Sequence, residues 1–197
     1  MIIFLQVAVI GPPNVGKSLL TNRLIKAGVA AVSCQMDTTQ RNQTAILTEG
    51  TTQLVLVDSP GTVGIRHARE VVKNPDSRIL SDPEHAVEQA EHILVVHDAT
   101  ICTDYILHRV LHMLHRHRQI PSTLVLNKVD LVKQRELIQK PTYKCSWGET
   151  KALFANIKGW SNFQAVFFVS ALTGEGIENV RNYLCELSLQ KVFLNTC

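Results

Sequence analysis

The sequence predicts an α/β fold: a six-stranded mixed sheet with one antiparallel strand and helices on both faces. Three observations carry this. Short Val/Ile/Leu-rich runs recur at 2–10, 43–48, 53–57, 92–97, 123–126 and 165–169. Most are continuous rather than alternating, as strands covered on both faces are. Helical apolar spacing falls between them, and alternating strands and helices build parallel sheets through right-handed crossovers. The runs 43–48 and 53–57 are separated only by a short turn over 49–52, so they pair as an antiparallel hairpin.

Taken in order, the run 2–10 leads straight into Gly11, which makes it a buried first strand rather than a signal segment. A helix is expected over 17–27. The stretch 60–80 has no periodicity and reads as a loop. A helix over 82–91 begins after Ser81 with Pro83 in its first turn, where a missing N–H is harmless. Within 104–118, Leu107, Val110, Leu111 and Leu114 recur at helical spacing and form a core-facing stripe. A weaker helical pattern covers 149–157. The last helix, 176–189, places Ile177, Val180, Leu184 and Leu187 on one side.

A chain of 197 residues fits one large domain, and 45% hydrophobic with 19% charged residues is a globular composition. The net charge of +3 is too small to argue for nucleic-acid binding by itself. The five cysteines are odd in number and form no C-x-x-C pair. Reduced thiols are therefore expected, not a disulfide framework or a zinc site. No apolar run reaches the roughly 20 residues of a membrane-spanning helix.

Gly11-Pro12-Pro13-Asn14-Val15-Gly16-Lys17-Ser18 matches G-x-x-x-x-G-K-[ST] between a strand and a helix. Such a loop turns successive N–H groups and a helix N-terminus toward an anion. Lys17 is expected to reach β- and γ-phosphates, and the Ser18 hydroxyl to ligate magnesium. By itself the loop specifies phosphate and no particular base. Asp58-Ser59-Pro60-Gly61 ends the third run, so Asp58 is placed to hold the metal through water and the Gly61 N–H to meet a γ-phosphate. Taken alone, that tetrapeptide is more often a plain turn.

Asn127-Lys128-Val129-Asp130 follows the fifth run. A carboxylate can accept two parallel N–H bonds from the edge of guanine, a donor pair that adenine lacks. Asp130 would read the base, while Asn127 and the Lys128 stem position the segment and cover the ring. Ser170-Ala171-Leu172 follows the sixth run and offers the Ala171 N–H to the guanine oxygen.

These four segments resemble those of P-loop GTPases of the TrmE-Era-EngA type, and the resemblance spans essentially the whole chain. The phosphate loop is similar to the Era family's G-x-P-N-V-G-K-S, and Asn127-Lys128-Val129-Asp130 matches its base-reading motif. Val32-Ser33 with Thr38-Thr39 resembles its first switch. Ser81-Asp82-Pro83 with Ala90-Glu91, and Gly159-Trp160-x-x-Phe163, resemble the animal mitochondrial branch. Gln35, Gln40 and Ser59 replace the family's usual lysine, arginine and threonine.

The resemblance implies a GTP-binding, GTP-hydrolysing switch that assists small ribosomal subunit assembly through its rRNA, in the mitochondrial matrix or otherwise the cytoplasm. Its catalytic groups would be Lys17, Thr39 and Gly61. Its GTP contacts would come from Gly11, Asn14, Val15, Gly16, Lys17, Ser18, Leu19, Asp58, Gly61, Asn127, Lys128, Asp130, Ser170, Ala171 and Leu172. Magnesium would meet Ser18, Asp58 and Thr39, with Thr38 the alternative to Thr39. Asn14 suggests a potassium ion beside the phosphates, or simply a residue that stabilises the turn. Thr62 stands where many GTPases carry a water-orienting glutamine, so hydrolysis should be slow.

The family continues into a C-terminal KH domain that binds ribosomal RNA through a G-x-x-G loop. Gly174-Glu175-Gly176 is not such a loop. Residues 1–197 are thus expected to be an Era-type GTPase domain, with the KH domain absent from this chain. The alternative is a scaffold that binds GTP or GDP with little turnover. An ATP-dependent kinase is disfavoured by Asp130. His108, His112 and His115 share one helical face and read as a solvated surface, as do Lys133, Arg135 and Lys140. Trp147 and Trp160 read as packing anchors.

Overall fold

The strands β1 (Ile3–Ile10), β2 (Gln43–Glu49), β3 (Thr52–Asp58), β4 (His92–Asp98), β5 (Ser122–Asn127) and β6 (Phe163–Phe168) form one sheet in the order β2-β3-β1-β4-β5-β6. The structure, a computed structural model, describes residues 3–25, 41–61, 78–101, 104–138 and 163–195. β2 runs antiparallel to β3, and the other strand pairs are parallel. The helices are α1 (Lys17–Leu24), α2 (Arg78–Glu88), α3 (Asp104–Arg116), α4 (Val129–Ile138) and α5 (Ile177–Asn195). None of them is long and apolar enough to cross a membrane.

Successive strand residues point to opposite faces, and two cores result. Val7, Val9, Leu94 and Val96 pack with Leu20 and Leu24 of α1 and with Val180 and Leu184 of α5. Ala8, Ile10, Ile93 and Val95 pack with Ala86 and Val87 of α2, Val110 and Leu114 of α3, and Val132 of α4. Both faces are therefore covered. β4 and β5 are buried at every position, which is why their sequences are continuous apolar runs.

The expected strands are all present, within a few residues at their ends. One helix start differs. α2 begins at Arg78, so Pro83 lies inside it rather than in its first turn. A proline there removes a helical hydrogen bond, a loss of roughly 3 kcal/mol. Burial of Pro83, Ala86 and Val87 holds the helix together across it. Residues 78–80, expected in the loop over 60–80, belong to this helix, and 62–77 lie outside the described residues. The expected helix over 149–157, together with Trp147, Trp160 and Lys140, lies outside the described residues, as do the side chains of His108 and Arg135. His112 and His115 are exposed on α3, as expected.

β1 has β3 on one side and β4 on the other, so the direction of chain winding reverses there. Ligands of open α/β sheets bind at the carboxyl ends of the strands flanking such a reversal. Residues 11–18 leave β1 at that end. At the opposite end, His92 is buried with its Nε2 2.9 Å from the Thr123 hydroxyl, and its ring meets Tyr183 edge-on at 6.2 Å. Burial lowers the His92 pKa to about 4. Arg181 of α5, 2% exposed, donates to the Leu24 carbonyl at 2.7 Å and the Arg23 carbonyl at 2.8 Å. It thereby satisfies the carbonyls at the end of α1.

Candidate nucleotide-binding site

Residues 11–18 wrap closely at the mouth of the sheet. Gly11 abuts β4 so tightly that an added Cβ would lie 2.1 Å from the Val96 carbonyl oxygen. Gly16 has φ 91°, and a Cβ there would lie 2.5 Å from Asn127 Nδ2. Both positions thus demand glycine, the second because of its left-handed backbone as well as its contact. Asn14 also adopts a left-handed φ of 61°, a conformation asparagine tolerates. Val15 is buried in the core, and Leu19 packs partly buried against the same core.

Lys17 is 6% exposed and donates from Nζ to the Pro12 carbonyl at 3.0 Å. Burial lowers its pKa to about 8, against the opposing pull of the Asp58 carboxylate. The ammonium is thus held inside the loop without a full counter-charge. Ser18 Oγ donates to Asp58 Oδ2 at 2.5 Å. A hydroxyl and a carboxylate brought together at the mouth of a phosphate-type loop are a hard oxygen pair that fits magnesium. Gly61 folds back onto the loop, where an added Cβ would lie 2.7 Å from the Pro13 Cα. Ser59 fixes this segment by donating its hydroxyl to the Val9 carbonyl at 2.8 Å.

The segment after β5 meets the loop directly. Asn127, 2% exposed, donates from Nδ2 to the Val15 carbonyl at 2.8 Å and accepts the Ala171 N–H on Oδ1 at 2.8 Å. One side chain therefore joins the loop at 11–18 to the turn at 170–172. Lys128, with φ 69°, donates to the Asn14 carbonyl at 2.6 Å. Asp130 enters the first turn of α4 and accepts the Ser170 hydroxyl at 2.6 Å. That bond occupies one oxygen and aims the carboxylate. Leu172 is 62% exposed beside it. The Ala171 N–H, expected to meet the guanine oxygen, donates to Asn127 Oδ1 in this structure. Thr38, Thr39 and Thr62 lie outside the described residues.

Two participants escaped the sequence reading. Asp98 ends β4 and pairs with Lys128 Nζ at 2.7 Å, while its other oxygen accepts the Thr100 N–H at 2.8 Å and the Thr100 hydroxyl at 2.7 Å. Burial pushes the Asp98 carboxyl up, but the bonds from Lys128 and Thr100 outweigh it and hold the group below its ordinary value. Its signal, a carboxylate closing a buried run, is the one that singled out Asp58. Arg23 of α1 donates to the Ala171 carbonyl at 3.1 Å and the Leu172 carbonyl at 2.9 Å. No local sequence pattern marks a partnership spanning 148 residues.

This sheet, with these loops converging at its carboxyl edge, defines a P-loop GTPase fold. The family profile described as "50S ribosome-binding GTPase" matches residues 6–128, and the chain belongs to that family. It is 44% identical to the mitochondrial GTPase Era of Caenorhabditis elegans, an alignment covering 94% of this chain and 63% of the relative. It is 30% identical to the mitochondrial GTPase Era of Danio rerio, over 91% of this chain and 50% of the relative. The chain thus spans about half to two thirds of the length of these relatives. Among solved structures it resembles Era in complex with MgGDPNP and nucleotides 1506–1542 of 16S ribosomal RNA. That likeness has TM-score 0.70 at 21% identity and covers 94% of this chain and 57% of the other; it speaks to the fold.

Proposed function

We propose that the chain binds GTP and GDP with magnesium and hydrolyses GTP slowly, as the GTPase domain of an Era-type switch acting in small ribosomal subunit assembly. The observation that carries the nucleotide reading is Asn127, which joins the phosphate loop through Val15 and the base-side turn through Ala171. A base and its phosphates would be read by one connected frame.

In this reading Asp130 accepts the paired N–H groups of guanine, with Ser170 fixing its orientation. The Lys17 ammonium moves from the Pro12 carbonyl to phosphate oxygens, where it gains the counter-charge it lacks. Ser18 and Asp58 would hold magnesium, which supplies charge neutralisation at those oxygens. Water attacks the γ-phosphorus in line, the bond to the bridging oxygen breaks, and GDP departs with phosphate. Gly61 and Thr39 are the groups we assign to the γ-phosphate and to the switch. The Asn14 backbone supports a turn-stabilising role; potassium remains a test, since equal rates in sodium and potassium would exclude it.

The mitochondrial Era relatives support a mitochondrial location, for which we propose the matrix. For the partner, the family description names the 50S subunit, while the structurally similar Era carries 16S rRNA nucleotides. We favour the small subunit because the relatives described above are Era proteins. We further propose that residues 1–197 correspond to the GTPase domain and contain no counterpart of the family's KH domain, through which most RNA contact would be made. The second reading, a nucleotide-bound scaffold, draws on Thr62 in place of glutamine.

One experiment separates these. GTP and GDP affinities and phosphate release are measured with and without small-subunit rRNA. Guanine binding with slow, measurable release supports the switch. Binding without turnover, even with RNA, supports the scaffold, and tighter ATP than GTP binding would overturn the assignment.

A further inference from the structure

Asp98 is a buried carboxylate that the chemistry above does not use. We propose that Asp98 is a positioning residue of the nucleotide site, which holds the Lys128 ammonium on the Asn14 carbonyl and so aims the phosphate loop before a nucleotide arrives. This inference rests on the nucleotide-binding reading.

Asp98 and Asn127 are register partners at the ends of β4 and β5, so Lys128 emerges beside the carboxylate. Lys128 Nζ then divides between Asp98 Oδ2 at 2.7 Å and the Asn14 carbonyl at 2.6 Å. The Thr100 N–H and hydroxyl both fasten Asp98 Oδ1, so the carboxylate cannot swing away. Two non-glycine residues on this path, Asn14 and Lys128, have left-handed backbones. Such conformations, least costly for asparagine, persist where surroundings impose them.

Peptide geometry shows what is gained. A trans peptide is planar, so its C=O and following N–H point in opposite directions. Lys128 draws the Asn14 carbonyl outward and thereby fixes the direction of the Val15 N–H. Asn127 Nδ2 holds the Val15 carbonyl and fixes the Gly16 N–H in the same way. Two consecutive loop donors are thus aimed by two adjacent side chains. Asn127 is held by its own pair of bonds, and Lys128 is held by Asp98.

The test is a GDP titration and dissociation measurement with a fluorescent GDP, on wild type, Asp98→Asn, Lys128→Met and the double variant. Asp98→Asn keeps an acceptor for Thr100 and removes the charge that holds Lys128. It should weaken GDP about tenfold or more, mainly through faster dissociation. In the Lys128→Met background the same change should alter affinity less than about twofold, because the two residues act as one unit. Thr100→Val should give a smaller loss in the same direction, and it serves if Asp98→Asn fails to fold. Wild-type affinity in both Asp98→Asn and Thr100→Val, or an equal Asp98→Asn loss with and without Lys128, would overturn the proposal. A wild-type chain that binds no GDP would instead sink the nucleotide reading itself, and the role of Asp98 with it.

Discussion

Lys17 should make the nucleotide-free protein more stable as pH rises above neutrality. Its pKa is about 8 in the fold against 10.5 for an ordinary lysine, because burial disfavours the ammonium. Below about pH 8 both folded and unfolded chains carry the proton, and the cost of burying the charge is fully present. Between about pH 8 and 10.5 the unfolded chain holds the proton while the folded chain has released it. The unfolded state binds more protons there, so stability increases with pH. The difference between 10.5 and about 8 corresponds to a gain of roughly 3 kcal/mol at most. Urea unfolding midpoints of the apo protein, compared with Lys17→Met across this range, isolate the contribution. Wild type should gain on Lys17→Met as pH rises. GDP should abolish the gain, because phosphates keep the ammonium charged, and GDP affinity should fall by up to tenfold per pH unit above about pH 8. Parallel pH profiles for wild type and Lys17→Met would refute this account.

The remaining expectations concern other residues. Asn127→Ala strands the buried Val15 carbonyl and Ala171 N–H, so it should cost about 2–4 kcal/mol in denaturant unfolding and at least about a hundredfold in GDP affinity. Asp130→Asn replaces an acceptor by an amide that also donates, so preference should move from guanine to xanthine nucleotides, whose second-position oxygen accepts; competition by GDP and XDP reads the change directly. His92 has a pKa of about 4 in the fold and 6.5 ordinarily. Stability should therefore be complete above about pH 6.5 and fall by roughly 3 kcal/mol toward pH 4, a loss that His92→Phe should reduce in acid titrations followed by circular dichroism.

Residues 11–18 were legible as a tight loop because close backbone approach confines Gly11 and Gly16 to glycine. Asn127 was expected to position its segment, and its amide bonds Val15 and Ala171. β4 and β5 were legible because burial on both faces leaves only apolar residues. Pro83 misled because prolines favour first turns on average, whereas Ala86 and Val87 made burial decisive here. Arg23 and Arg181 lay beyond local patterns, since their partners are 148 and 157 residues away; Asp98 closes a buried run as Asp58 does, but its pairing with Lys128, 30 residues on, has no local mark.

Arg23 gives the site a property that no pair of its bonds has alone. The bonds run in a closed circuit, from residues 11–18 into α1, through Arg23 to 171 and 172, back through Ala171 and Asn127 to Val15. Guanosine and pyrophosphate offered separately would each have to still this circuit; GDP stills it once. Their separate binding free energies should therefore sum to less than that of the joined molecule, even after the entropy of linking them is allowed for, and pyrophosphate should sharpen the affinity for guanosine. In this fold the two halves of a nucleotide would recognise each other through the protein.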